Sequence, residues 1–202
     1  DGPQFLAEAA NNIGATILHI STDYVFPGNK EGVYNESDKT GPLGVYGESK
    51  LAGEQAVAVA NPKFIILRTA WVFGEHGNNF VKTMLRLMTE KDELSVVSDQ
   101  IGCPTNARGL AEYLWQLVEQ ETLDSIYHYS DLGIASWYDF AIAIQDISFE
   151  RGILEKKIPL KPIPSSVYPT AAKRPIFSLM QQSLSLNKQH WGLLLRKVIE
   201  SL

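Results

Sequence analysis

Cysteine is almost missing from this chain: Cys103 is the only one in 202 residues. A disulfide framework within the chain and a multi-cysteine zinc site are therefore excluded, and a reducing, cytoplasmic setting fits. The four histidines, His19, His76, His128 and His190, have no metal-ligand spacing, so the residues themselves predict no metal. No apolar run approaches the ~20 residues that a membrane helix needs. No basic-then-apolar leader opens the chain, and no contact with a membrane is expected. Lysine- and arginine-rich runs are lacking too, and the formal net charge is −5. Both argue against a nucleic-acid surface. Single Arg and Lys residues can still hold a phosphorylated ligand. No internal repeat is visible. The first residues, Asp1-Gly2-Pro3, lead straight into a helical pattern, which reads as a cut chain or fragment.

What is present suits a globular enzyme: 45% of residues are hydrophobic and 20% charged. A helix is predicted over residues 4–13. Ile17-Leu18-His19-Ile20 has the length of a buried strand, ending at Ser21-Thr22-Asp23. Residues 27–44 carry Pro27, Gly28, Gly32, Gly41, Pro42 and Gly44 and read as a loop. Leu51, Ala52, Gln55, Ala58 and Val59 then fall on one face of a helix over 46–60. Phe64-Ile65-Ile66-Leu67 is a second buried strand. A helix over 79–91 and a strand over 94–98 follow, then helices near 108–121 and 136–150 around a strand at 126–129. The four prolines between Lys157 and Pro169 predict extended chain. Strands alternating with helices imply an α/β fold, a Rossmann-like parallel sheet with flanking helices. Residues 1–130 are expected to form the catalytic domain, with substrate-lobe insertions from about 74. Residues 131–202 are expected to form mostly a smaller C-terminal substrate-binding lobe.

Chemistry concentrates in one constellation. Tyr46 and Lys50 are four residues apart at the start of a predicted helix, which places them on one face. A lysine ammonium beside a phenol favours the phenolate and lowers a pKa that is usually ~10. Such a group trades protons with an alcohol or carbonyl near neutral pH. Thr22, with Ser21 beside it, ends the preceding strand, and ligands of parallel α/β sheets sit at the carboxyl ends of strands. Tyr-x-x-x-Lys alone is a weak signal, usually an exposed pair. Its setting is more specific: Ser21-Thr22-Asp23-Tyr24-Val25-Phe26 upstream, and Tyr46-Gly47-Glu48-Ser49-Lys50-Leu51-Ala52-Gly53-Glu54 after a Gly/Pro-rich loop.

These blocks resemble the dTDP-4-dehydrorhamnose reductase family of extended short-chain dehydrogenases. So do Leu67-Arg68-Thr69-Ala70-Trp71-Val72-Phe73, Gly77-Asn78-Asn79-Phe80, Asp99 to Thr105, Ser136 to Ala141 and Lys173-Arg174-Pro175. The resemblance implies reduction of the C4 keto group of a dTDP-6-deoxy-hexulose by NADPH, or NADH, within dTDP-rhamnose biosynthesis. It gives Tyr46 the part of general acid. Lys50 would tune Tyr46 and bond the nicotinamide ribose, and Thr22 would bond the substrate oxygen. Ser21 is carried as a cofactor contact beside Tyr46 and Lys50. Asp23, Val25, Trp71, Asn79 and Arg174 are carried as substrate contacts. Plainer readings stand beside each: core for Val25, a core tryptophan for Trp71, a helix N-cap for Asn78 or Asn79, a surface arginine for Arg174. Cys103 reads as structural. The resemblance also brings a homodimer with magnesium at its contact, for which no ligands are matched.

The family opens with a strand, a Gly-rich turn and a helix that hold the cofactor pyrophosphate. Gly41, Gly44 and Gly47 have the spacing of such a turn, but they follow no strand and enclose Pro42. Roughly the first 80 residues of the family pattern are thus expected to be absent, leaving this piece inactive alone. Two alternatives remain open: a non-catalytic regulatory or binding subunit on the same fold, and a sugar-nucleotide epimerase or dehydratase, which would use Asp23 beside Thr22.

Overall fold

A computed structural model of the chain describes residues 1–30, 32–120, 124–168, 170, 174–180 and 188–202. In chain order the helices and strands are α1 (Gly2–Asn12), β1 (Ile17–Thr22), α2 (Val45–Ala60), β2 (Phe64–Thr69), β3 (Val72–Phe73), α3 (Phe80–Glu90), β4 (Leu94–Val97), β5 (Ile101–Gly102), β6 (Thr105–Asn106), α4 (Ala107–Val118), β7 (Ile126–Tyr129), β8 (Ala135–Ser136), α5 (Trp137–Glu150), β9 (Leu160–Ile163) and α6 (Trp191–Glu200). They form two compact units. The first holds Asp1–Ala70, Glu112–Tyr129 and Ala172–Ser185, and the second holds Trp71–Ala111, Ser130–Ala171 and Leu186–Leu202.

The first unit is built on a three-stranded parallel sheet in the order β1-β2-β7. β2 and β7 are mostly buried runs, as expected of strands covered on both faces, whereas β1, expected as a buried strand, lies at the edge of this sheet with Ile20 41% exposed. Side chains alternate between the faces along a strand, and Arg68 is in register with Ser21 on one side and His128 on the other. Arg68 meets Glu54 of α2, whereas Tyr129, one residue on from His128, meets Tyr113 of α4. Helices therefore flank both faces, as the Rossmann-like expectation requires. α1 packs on α2, with Pro near its first turn, where a missing N–H costs nothing. The loop of residues 27–44 is fastened by its backbone: the Gly41 amide donates to Val25 O at 2.9 Å, and the Tyr34 amide to Leu179 O at 2.7 Å.

The second unit has three small strand pairs, β3–β6 and β4–β9 parallel and β5–β8 antiparallel. Its core gathers Phe73, Met84, Val96, Phe140, Ile144 and Leu195, among others, from strands and from α3, α5 and α6. Ser136 and Asp139 form a reciprocal capping box that starts α5. The strand expected at 94–98 exists, but it does not extend the main sheet. It pairs with β9, drawn from the proline-rich segment, because Val96 belongs to this second core. A short apolar run does not specify which sheet it will join. Residues 121 and 169, within the predicted helix end and the proline-rich stretch, lie outside the described residues.

Candidate active site

β1 runs through Thr22 and passes into a 3-10 turn, Asp23–Val25. Thr22 caps that turn, its hydroxyl accepting from the Tyr24 amide at 3.3 Å. α2 starts close by because Gly47 has no side chain: a Cβ there would stand 2.3 Å from the Tyr24 carbonyl oxygen and 2.8 Å from Pro42. The close approach sets the Tyr46 ring edge-on to the Tyr24 ring, with centroids 5.7 Å apart. Tyr46 is 56% exposed, so its phenol is open to a ligand and to solvent.

Lys50, one turn further along α2, donates from Nζ to the Ile20 carbonyl at 2.7 Å. That bond ties the ammonium to β1 two residues before Thr22. Burial pushes the Lys50 pKa down, and the Glu54 carboxylate, a further turn along, opposes this. His19 is lowered by burial and then by Lys50, against Glu54. The Thr22 hydroxyl has one proton to give, and it gives it to Asp23 Oδ1 at 3.0 Å. A substrate oxygen that seeks the Thr22 proton must therefore compete with Asp23. Asp23 is 1% exposed. Burial pushes its carboxyl up to about 6, against hydrogen bonds from Ser178, from Thr22 and from the Asp23 and Tyr24 amides.

Two contributors to this constellation have no signal in the local pattern. Arg174, exposed, hydrogen-bonds the hydroxyl of Tyr24, whose pKa is pushed up to about 12 by burial and by Asp23. The segment carrying Arg174 lies along the 27–44 loop. Pro175 occupies the space where a Gly28 side chain would be, and the Phe177 amide donates to Gly28 O at 3.2 Å. Gly28 has φ +68, a conformation open to glycine. Second, Arg68 and Glu54 form a buried pair through two hydrogen bonds of 3.0 and 2.7 Å. A strand-end hydroxyl, an exposed phenol and an ammonium, held by neighbouring elements, form an arrangement that can deliver a proton to a carbonyl oxygen.

The sequence matches the RmlD substrate binding domain family over residues 1–202. The chain belongs to this family. It is 47% identical over 207 residues to a dTDP-4-dehydrorhamnose reductase of Aggregatibacter actinomycetemcomitans, covering 98% of this chain and 70% of that protein. A crystal structure of dTDP-4-dehydrorhamnose reductase from Bacillus anthracis in complex with NADP superposes with a TM-score of 0.90 at 37% identity, covering 100% of this chain and 71% of that one. A dTDP-4-dehydrorhamnose reductase structure from Clostridium acetobutylicum gives a TM-score of 0.91 at 38% identity, covering 99% and 70%. The chain thus spans about 70% of the length of these relatives.

Ser21, Thr22, Asp23, Tyr46, Lys50 and Arg174 all lie in the first unit. Ser21 is buried at 3% exposure. Val25 is fully buried, in the core. Asn79 is the N-cap of α3. Its Oδ1 caps α3 by accepting from the Lys82 amide at 3.3 Å, and its Nδ2 donates to Gly74 O at 2.8 Å, so the side chain is used structurally. Trp71 lies in the second unit, stacked on Trp137 with centroids 3.6 Å apart. Its φ of +48 is rare for a bulky residue, and Gly102 leaves room for its ring: a Cβ there would lie 2.6 Å from it. Of the glycines at 41, 44 and 47, Gly44 stands at the N-cap of α2 and Gly47 admits the Tyr24 carbonyl. Among the described residues no group of three His, Cys, Asp or Glu side chains is placed to hold a metal. Nor is any helix among them long and apolar enough to cross a membrane.

Proposed function

We propose that this chain carries the proton-delivering site of an NADPH-dependent reductase that converts dTDP-4-dehydro-L-rhamnose to dTDP-L-rhamnose. One observation carries the reading: the Lys50 ammonium is bonded to β1 two residues before Thr22, while Tyr46, on the same face of α2, presents an open phenol. The reductases similar over nearly the whole chain, one of them in complex with NADP, support it.

Tyr46 and Lys50 suit the nicotinamide end of the cofactor, which would supply a hydride to C4 of the sugar. As charge gathers on the C4 oxygen, Tyr46 gives it the phenolic proton and the carbonyl becomes an alcohol. Lys50 steadies the phenolate left behind, and solvent can restore the proton because the ring is exposed. Thr22 orients the same oxygen once it releases Asp23. A proton donor so placed is worth roughly 10²–10⁴ in rate, and aimed donors add electrostatic stabilisation. Arg174 offers a fork of donors to a diphosphate. By the same resemblance we place the enzyme in the cytoplasm as a homodimer acting on a dTDP-sugar.

The test is turnover of the full-length protein with dTDP-4-dehydro-L-rhamnose and NADPH, against Tyr46→Phe. The expected loss in kcat is ~10²–10⁴-fold. Undiminished turnover in Tyr46→Phe removes the assigned acid. Tight capture of a protein partner with no turnover by the wild type favours a binding subunit instead.

A further inference from the structure

Tyr46, Lys50 and Glu54 follow each other at one-turn intervals along one face of α2. Glu54 ends the series in the interior, and the side chains of Glu54 and Arg68 are each 4% exposed. Arg68 Nε donates to Glu54 Oε1 at 3.0 Å and Nη2 to Oε2 at 2.7 Å, fork against fork. The same guanidinium lies over the Phe26 ring at 5.1 Å, just after the turn that holds Thr22. Its Nη1 reaches the Glu36 carbonyl, at 3.4 Å, in the loop leading into α2. On β2, Arg68 is in register with Ser21. One side chain therefore touches Phe26, just after the turn that follows β1, the loop and the helix.

Stability alone is a poor reason for such a pair. Removing two charges from water costs about as much as their attraction returns, and apolar replacements of similar volume often match or exceed a buried ion pair. What the planar fork provides that an apolar contact does not is direction. A hydrophobic helix face can slide or roll by a fraction of an ångström, whereas two parallel N–H···O bonds fix both rotation and register.

We propose that Arg68 and Glu54 are positioning residues: their buried pair holds α2 in the register at which Tyr46 and Lys50 meet the Thr22 end of β1. The proposal rests on the reductase reading for its kinetic assay. Because a misplacement of about 1 Å can cost 10²-fold in rate, the pair matters to kcat far more than to affinity.

The test compares wild type, Glu54→Leu/Arg68→Met and Arg68→Lys in the full-length protein. The double variant removes both charges and keeps an apolar contact, so it should melt close to wild type. Its kcat should fall by about 10²-fold with KM for the sugar nucleotide little changed. Arg68→Lys keeps the charge but loses the fork, and should show the same split between kcat and KM. A double variant with wild-type melting and wild-type kcat overturns the proposal. If that protein fails to fold, wild-type kcat in Arg68→Lys overturns it instead. Absence of turnover in the wild type sinks the reductase reading, not this one. The pair is then read from the 13C-methyl signal of Lys50 after reductive methylation, assigned with Lys50→Arg. A shifted signal in Arg68→Lys, which keeps Glu54, supports the positioning role, and an unmoved one refutes it.

Discussion

Asp23 should make the protein less stable as pH rises from acid towards neutrality, and Asp23→Asn should remove that dependence. The carboxyl is buried, and its pKa stands at about 6 against an ordinary 3.8. Thr22, Ser178 and two amides all favour the charged form, yet burial outweighs them. The difference is about two units, and at ~1.4 kcal/mol per unit it corresponds to about 3 kcal/mol. The sign follows from linkage: the folded chain holds this proton more tightly than the unfolded one. The contribution is fully present below the unfolded pKa and is lost as pH climbs through the folded value. From pH 4 to pH 8 the wild type should thus lose up to about 3 kcal/mol through Asp23 alone. The amide that Asp23→Asn introduces does not titrate, so the stability of the variant relative to wild type should climb over that window. Urea unfolding of both full-length proteins at half-unit pH steps measures the difference directly. A difference that stays flat between pH 4 and pH 8 would show that the carboxylate is solvated or paired, and the burial argument would fail.

Two further outcomes follow from the same packing. Gly47→Ala places a methyl 2.3 Å from the Tyr24 carbonyl oxygen, an overlap that costs roughly 1–3 kcal/mol. It should lower both the melting temperature and kcat, since α2 must move and takes Tyr46 with it; an unchanged melt would contradict the close approach. Glu54→Gln should move the alkaline limb of the kcat profile to lower pH. Glu54 is what opposes the burial that lowers Lys50, and the same ammonium acts on His19 of β1. A limb that stays in place would free Lys50 from the proton step.

The parts of the site that could be read from sequence are those set by local periodicity. Tyr46 and Lys50 share a face because a helix repeats every 3.6 residues. Thr22 ends a strand because the apolar run stops there. Even so, a 3-10 turn follows, and it engages the Thr22 hydroxyl with Asp23 and the Tyr24 amide, which the residue pattern alone does not specify. Asn79 shows the reverse case: an asparagine before a helix is first a cap, and its two hydrogen bonds bear that out. The strand at 94–97 was legible as a strand, but its partner lies far along the chain in a segment containing Pro162, where no local rule points. Likewise Arg174 reaches Tyr24 across a separation that spacing cannot encode.

Long-range contacts of this kind are what turn a weak four-residue motif into a site. Tyr46 and Lys50 on an isolated helix would be an ordinary exposed pair, with nothing to fix their distance from Thr22. The intervening 27–44 loop is rich in glycine and proline, and a loop of that composition does not by itself hold its ends in place. It is held because Gly41 bonds Val25, Tyr34 bonds Leu179, and Glu36 accepts from Arg68. The last of these joins the loop to the guanidinium that also grips α2. On the positioning proposal, proton delivery by Tyr46 and Lys50 depends on residues outside the motif, chiefly Arg68 on β2.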